Sequence, residues 1–423
     1  MHSSVVDEAS VSIDAAVDAG LMRVALAGRS GKRVQLRTAD GTREVVEFIN
    51  CSYLGLDVRD DVIAGAVDAV RTWGVHLCCA RSRFTIGDNV DLEAELSALW
   101  GARAITFPSV TSAHLAALPL LASGALLPQA LRRRPEKPDA RVRIVFDRFA
   151  HASMQQLKPL LREHATVVTV GHNDVDAIVA HVDAADAAGE DVVVVADSVY
   201  SMGGRAPLLA LLQLAEERGV FLYLDDAHGT SIFGARGEGA VLAATSTLPP
   251  RALVTFSLAK GFGANGGGIL VPSAEQERRI RSFGTPYAFS TPLDFSIVGA
   301  ARASLRLHQD GTVAALQARL RDRVAFFDAH AAAVGVGVVD EGFSPIRMVP
   351  LRDREQGIAV GRGLIERGYF VSVALYPVVP KSEPQLRVCL AVDHTDDDIA
   401  GLCRALIDVG VGVGVGVGVG AAR

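Results

Sequence analysis

The sequence predicts an α/β protein: a large domain on a mostly parallel seven-stranded sheet with helices on both faces, then a smaller C-terminal α+β domain. Two observations carry this. Seven short apolar runs, at 104–107, 143–146, 166–170, 192–196, 220–224, 253–257 and 268–271, read as buried strands, and helical patterns separate most of them. Beyond about residue 305 the character changes. A long Ala/Arg-rich helix from 312 to about 333 leads into short strands near 336–339, 346–351, 370–374 and 386–391. The 423 residues leave room for both domains.

Taken in order, residues 1–47 read as an N-terminal helix and hairpin arm. Val11, Ile13, Val17, Leu21 and Val24 recur at helical spacing until Gly28 and Gly31 break the pattern. A hairpin fits 33–49, turning at Asp40-Gly41. The large domain is assigned to 48–300. Asp60 or Asp61 can cap a helix whose inner face is Ile63, Val67, Val70 and Trp73. A second helix starts with Pro207 in its first turn, continues through Leu208, Leu211, Leu212 and Ala215, and stops at Gly219. The small domain is assigned to 301–408. Residues 409–423 form a Val-Gly low-complexity tail.

Composition narrows the function classes. With 49% hydrophobic and 21% charged residues and a net charge of −6, the chain is an ordinary globular one without a nucleic-acid footprint. Arg132, Arg133 and Arg134 read as a solvated loop. The five cysteines, at 51, 78, 79, 389 and 403, contain no CxxC, which points to a reducing cytoplasm and to no metal site. Vicinal Cys78 and Cys79 read as buried packing. The N-terminus lacks the charged and apolar regions of a signal peptide, and the Val-Gly repeat is too rich in glycine for a transmembrane helix.

Several segments carry chemistry. The apolar run 220–224 ends in Asp225-Asp226-Ala227-His228, which puts acid and imidazole at the carboxyl edge of the sheet, where open α/β folds bind ligands. Such an acid either caps a helix or keeps a heteroaromatic nitrogen protonated. Next, a strand delivers Ser257 and then Lys260 ahead of a glycine run. Lys260 is either an exposed loop lysine or a Schiff-base residue, and Ser257 can donate to a phosphate. His151 follows another strand, as a capping histidine or as a ring that stacks on a flat ligand. The turn from Phe107 through Thr111 supplies helix N-terminal amides for a phosphate, or simply an N-cap at Ser109 or Thr111.

Together these segments resemble the α-oxoamine synthases, fold-type I pyridoxal-phosphate enzymes of the aspartate-aminotransferase-like fold. The resemblance runs from about Phe48 to Ile407. It includes Tyr53-Leu54-Gly55-Leu56, the stretch 197–208, Asp225 through His228, Lys260-Gly261-Phe262-Gly263, Phe289 through Pro292, Ser344-Pro345-Ile346, Tyr376 through Pro380, and Leu386-Arg387-Val388. It implies the cofactor pyridoxal 5'-phosphate, held by Lys260 as a Schiff base, with Lys260 as acid–base group at the substrate Cα. By the same resemblance Asp225 pairs with the ring nitrogen, His228 with the phenolate oxygen, and His151 stacks on the ring. Val110 and Thr111, with Ser257, hold the phosphate, and Ser201 lies near the ring. Ser290 or Thr291 reaches the phosphate of a neighbouring subunit, which implies a homodimer. Arg387 clamps the amino-acid carboxylate, with Asn50 and Tyr53 on the substrate side.

The implied reaction condenses a small amino acid with an acyl thioester, on CoA or acyl carrier protein, with decarboxylation to an α-amino ketone. An aminotransferase, another carbon–carbon bond-forming pyridoxal-phosphate enzyme, a decarboxylase or an inactive partner subunit are the alternatives on the same scaffold. Departures cluster at 74–93, where a Gly/Ser-rich loop is replaced and the usual His is missing, at Asn50-Cys51-Ser52, and at Arg205. They leave the cofactor motifs intact and the acyl donor open.

Overall fold

A computed structural model of the chain describes residues 3–339 and 342–412; most of the Val-Gly tail lies outside them. The chain divides into two compact units. One comprises residues 1–55, 202–204 and 318–423, and the other comprises 56–201 and 205–317.

The first unit begins with α1 (Ser3–Asp18), followed by β1 (Leu26–Ser30), β2 (Arg33–Thr38) and β3 (Gly41–Glu47). The expected hairpin is β2–β3, with Thr38 opposite Gly41. The helical pattern read on to Val24 stops earlier, because Gly20 takes a positive φ of 70° that ends the helix.

The second unit holds the large sheet. Its elements are α2 (Asp60–Trp73), α3 (Gly87–Trp100), β4 (Arg103–Phe107), α4 (Val110–Ala122), β5 (Val142–Asp147), α5 (Ala152–Gln155), α6 (Lys158–Leu161), β6 (Ala165–Val170), α7 (Val175–Ala188) and β7 (Asp191–Asp197). There follow α8 (Leu208–Glu217), β8 (Phe221–Asp225), α9 (Gly239–Thr245), β9 (Ala252–Ser257), β10 (Gly267–Val271), α10 (Ala274–Phe283), α11 (Thr285–Ala288) and α12 (Phe295–Gln309). The seven expected strands form one sheet in the order β4-β10-β9-β8-β7-β5-β6, and β10 alone runs against its neighbours.

Residue alternation explains the two helical layers. Val192, Val194 and Ala196 of β7 and Leu222 and Leu224 of β8 enter one core with α3, α8 and α12. Val193, Val195, Phe221 and Tyr223 enter the other, with α4 and α10. Period two along buried strands fills both faces, so the sequence shows continuous apolar runs.

Three expectations fail here. In α2, Ile63, Val67 and Trp73 are exposed, while Val62 and Ala69 are buried. The inner face is instead a small-residue seam against α12. A Cβ on Gly65 would sit 2.6 Å from the Gly299 carbonyl, and one on Gly299 would clash with the Gly65 carbonyl. Close backbone approach buries this helix without a large apolar stripe. The basic cluster is also no solvated loop. Arg132 is buried and donates to Gly124 O at 2.8 Å, and Arg133 pairs with Asp186. Cys78 is exposed rather than packed.

The chain then re-enters the first unit within α13 (Thr312–Val334) and continues through β11 (Ile346–Pro350), α14 (Arg354–Glu366), β12 (Tyr369–Phe370), β13 (Ser372–Ala374), β14 (Gln385–Cys389) and α15 (Asp396–Asp408). A sheet of order β11-β14-β13 packs its Val349, Leu386 and Val388 against Phe327, Leu364 and Leu402 of the helices. The strand expected at 336–339 is reduced to a single bridge between Val339 and Met348. β12 pairs in parallel with β3, which ties the N-terminal arm into this unit. Among the described residues no helix is long and apolar enough to cross a membrane.

Candidate active site

In the second unit, strand ends converge on a cavity of about 190 Å³. Each parallel strand delivers its residue at its carboxyl end, the ligand-binding edge of such sheets. Asp197 ends β7, Asp225 ends β8, Ser257 ends β9, and His151 follows β5. Val110, Thr111, His228 and Lys260, all expected, line it too, with Ser109, Ser153, Asn265 and Gly266. Of the expected cofactor residues, Ser201, Ser290 and Thr291 lie outside this lining.

Local folding explains the placements. After β4, Ser109 is extended and its hydroxyl accepts from Ser112 N–H at 3.1 Å, which starts α4 so that Val110 and Thr111 head the helix. Such first-turn amides have no intrahelical acceptor and favour an anion. Lys260 sits on a strapped loop. Leu258 N–H donates to Gly266 O at 3.0 Å, Ala264 N–H to Leu258 O at 2.8 Å, and Gly263 N–H to Lys260 O at 3.0 Å. Gly263 has a φ of 79°, and a side chain there would strike Leu56; Gly266, at 84°, lies against the Phe107 carbonyl. The glycine run thus folds the loop tightly behind the lysine.

The charges are arranged unequally. Asp197 and Asp225 are register partners on adjacent strands. Burial alone would raise the Asp225 carboxyl, but the bond and charge of His114, with Lys260 and His151, hold it below the usual carboxylate range. Burial, reinforced by the charge of Asp225, pushes the Asp197 carboxyl well up; its Oδ1 accepts from His151 N–H at 2.9 Å. His151 is pushed down by burial, and its Nδ1 lies 2.7 Å from Ser153 Oγ, which orients a neutral ring.

Asn50, Tyr53 and Arg387 belong to the first unit. Arg387, on β14, points Nη2 at Cys51 Sγ, 3.3 Å away. Burial opposes its charge, but Cys389, Cys51 and Tyr53 more than offset this and raise its pKa. A hydrogen bond from the Cys389 thiol, with the charge of Arg387, holds the free Cys51 thiol well below its ordinary value despite burial. Tyr53 is fully buried. The Asn50 side chain accepts from Ser52 N–H at 2.8 Å, and its carbonyl accepts from Lys32, whose Nζ pairs with Glu47 at 3.0 Å.

Sequence reasoning did not single out His114, Tyr223 or Asp197. Two signals were available. Asp197 ends an apolar strand as Asp225 does, and His114 follows Val110 by one helical turn, so it shares a helix face with it.

Residues 83–406 match the family model for class I and II aminotransferases. The 8-amino-7-oxononanoate synthase of Mycolicibacterium smegmatis is 33% identical over 388 residues, covering 90% of this chain and 93% of that one. The enzyme of the same name from Dechloromonas aromatica is 31% identical, covering 88% and 91%. Among solved structures, a serine palmitoyltransferase from S. paucimobilis carrying a pyridoxal-phosphate–myriocin adduct superposes with a TM-score of 0.81 at 23% identity, covering 96% and 98%. The chain therefore belongs to the class I and II aminotransferase family and, within it, to the α-oxoamine synthases.

Proposed function

We propose that the chain is a pyridoxal-phosphate-dependent acyltransferase that condenses a small amino acid with an acyl thioester and releases CO2, giving an α-amino ketone. One observation carries this reading: Lys260, Asp225, His228, His151, Ser257, Val110 and Thr111, from four separate segments, line a single cavity. Their donor set fits the cofactor. An ionised carboxylate suits a protonated ring nitrogen, a neutral imidazole suits a ring face, and helix amides with a hydroxyl suit a phosphate. Bound there, the cofactor supplies an electron-accepting ring.

The chain's own residues supply the rest. Lys260 holds the cofactor, and its amine, once released, moves the proton at the substrate α-carbon. Asp225 keeps the ring nitrogen protonated, and His228 takes the phenolate oxygen. Arg387 takes the substrate carboxylate, where its planar fork matches the anion, with Asn50 and Tyr53 beside it in this role. Ser201 is assigned to the ring. Ser290 or Thr291 is assigned to the phosphate of a neighbouring subunit. A homodimer is supported by exposed Phe289 and Phe84, on segments joined by Arg81 N–H to Ser290 O at 2.9 Å and Ser82 Oγ to Ala288 O at 2.7 Å. The five free cysteines favour a cytoplasmic enzyme.

The test is direct. Purified protein with cofactor, an amino acid panel and acyl donors on CoA or on carrier protein should release free thiol and CO2 in equal amounts. Lys260→Ala should abolish both and remove the cofactor's visible band. Formation of a keto acid from the amino acid, without thiol release, would replace this reading with an aminotransferase.

A further inference from the structure

Two buried carboxylates line the cavity side by side, Asp197 and Asp225, paired in register at the ends of β7 and β8. Only one can readily keep its charge, because like charges at this range oppose each other. Their surroundings differ, and one difference reaches Asp225 from a side chain of α4. His114, wholly buried, places Nε2 at 3.1 Å from Asp225 Oδ2. Its Nδ1 lies 2.9 Å from the phenol of Tyr223. Tyr223 precedes Asp225 by two residues on β8, hence on the same face of the strand. The other oxygen of Asp225 accepts from Ala227 N–H at 3.0 Å and from Thr255 Oγ1 at 3.1 Å.

Donor and acceptor inventories fix the Asp225 end of this chain. An ionised carboxylate only accepts, so His114 must carry its hydrogen on Nε2. Nδ1 faces the Tyr223 phenol, which burial keeps protonated and which donates to that nitrogen whenever it carries only its lone pair. Asp197 receives a backbone N–H from His151, whereas the two ring nitrogens of His114 meet Tyr223 and Asp225.

We propose that His114, anchored by Tyr223 so that its Nε2–H meets Asp225, is a positioning residue that assigns the negative charge to Asp225 rather than to Asp197. It thereby fixes the carboxylate that holds the cofactor's ring nitrogen. This rests on the pyridoxal-phosphate reading above and goes beyond it by naming what makes one acid of two the partner.

The test compares cofactor affinity and the position of the cofactor's visible band, measured by absorbance titration on variants whose fold is checked by circular dichroism. His114→Leu removes both bonds and should weaken cofactor binding by about tenfold or more, with a displaced band. His114→Gln can donate to Asp225 and accept from Tyr223 without a second ring nitrogen, and should stay within about threefold of wild type with an unmoved band. Adding Asp197→Asn to His114→Leu should recover part of the affinity, because no second carboxylate then competes. Full affinity and an unmoved band in His114→Leu, equal loss in His114→Gln, or no recovery in the double variant each overturn the proposal. Should His114→Leu fail to fold, Tyr223→Phe decides: weaker binding supports the anchoring of His114 by Tyr223, and wild-type binding overturns it. A wild-type chain that takes up no cofactor at all defeats the underlying reading instead, and this proposal with it.

Discussion

Asp226 shows how far one position along the chain can change the task of a carboxylate. Asp225 is held ionised, whereas burial pushes its neighbour Asp226 up to about 7 from an ordinary 3.8. Asp226 contacts the Ser198 hydroxyl and accepts from Val241 N–H at 3.2 Å, and Gly229 and Gly239 leave no room for side chains against it. The pH dependence follows from linkage. The folded state binds this proton more tightly than the unfolded chain, so its stabilising effect is complete below about pH 4, declines as pH rises, and is gone above about 7. Asp226→Asn mimics the protonated acid. Denaturant midpoints taken at intervals from pH 4 to 8 should show the wild type losing up to a few kcal/mol relative to this variant as pH rises. Parallel curves would remove Asp226 as the titrating group. The contrast with Asp225 also marks the limit of legibility at this scale. Lys260, Asp225, His228 and His151 stand out in the sequence because strand-end positions and motif order announce them. The Tyr223–His114–Asp225 chain does not, since it joins a helix to a strand more than a hundred residues away and only packing makes the contact.

At the scale of elements, apolar periodicity located every strand of the large sheet, because strands buried on both faces are written as unbroken apolar runs. It failed for the packing of α2. There the contact is made by Gly65 and Ala69 against Gly299 and Ala303, residues too small to register as a hydrophobic stripe. Gly299→Ala sets two effects against each other. A helical Ala gains about 1 kcal/mol over Gly, while overpacking a rigid seam costs about 1–3 kcal/mol. The obstruction is backbone carbonyl on the facing helix, which cannot rotate away, so the net result should be a loss, seen as a lower thermal midpoint. Gly87→Ala, where a Cβ meets nothing within 4 Å, should leave the midpoint unchanged or raise it. Equal behaviour of the two variants would refute the seam.

For the whole molecule, the proposed homodimer predicts that Phe289→Asp, at a residue 78% exposed in the single chain, shifts the sedimentation mass from two chains towards one. An unchanged dimer would mean that the Phe84–Phe289 surface is not its interface. The composition of the smaller unit was the least legible feature of all. Nothing local announces that β3 will take its parallel partner from Tyr369 and Phe370, that Phe48 will stack on His394 at 3.9 Å, or that His394 will bond the Glu47 carbonyl at 2.9 Å. The pairing has a consequence for synthesis. More than three hundred residues separate Val46 from Tyr369, and ribosomes add about 5–20 residues per second. The N-terminal strands therefore leave the ribosome tens of seconds before their partners exist. The larger unit, continuous from Leu56 to Gln317 but for three residues, can fold while still tethered. The smaller one can close only after nearly the whole chain has been made, so a ribosome stalled before Tyr369 would leave the N-terminal strands exposed to proteases.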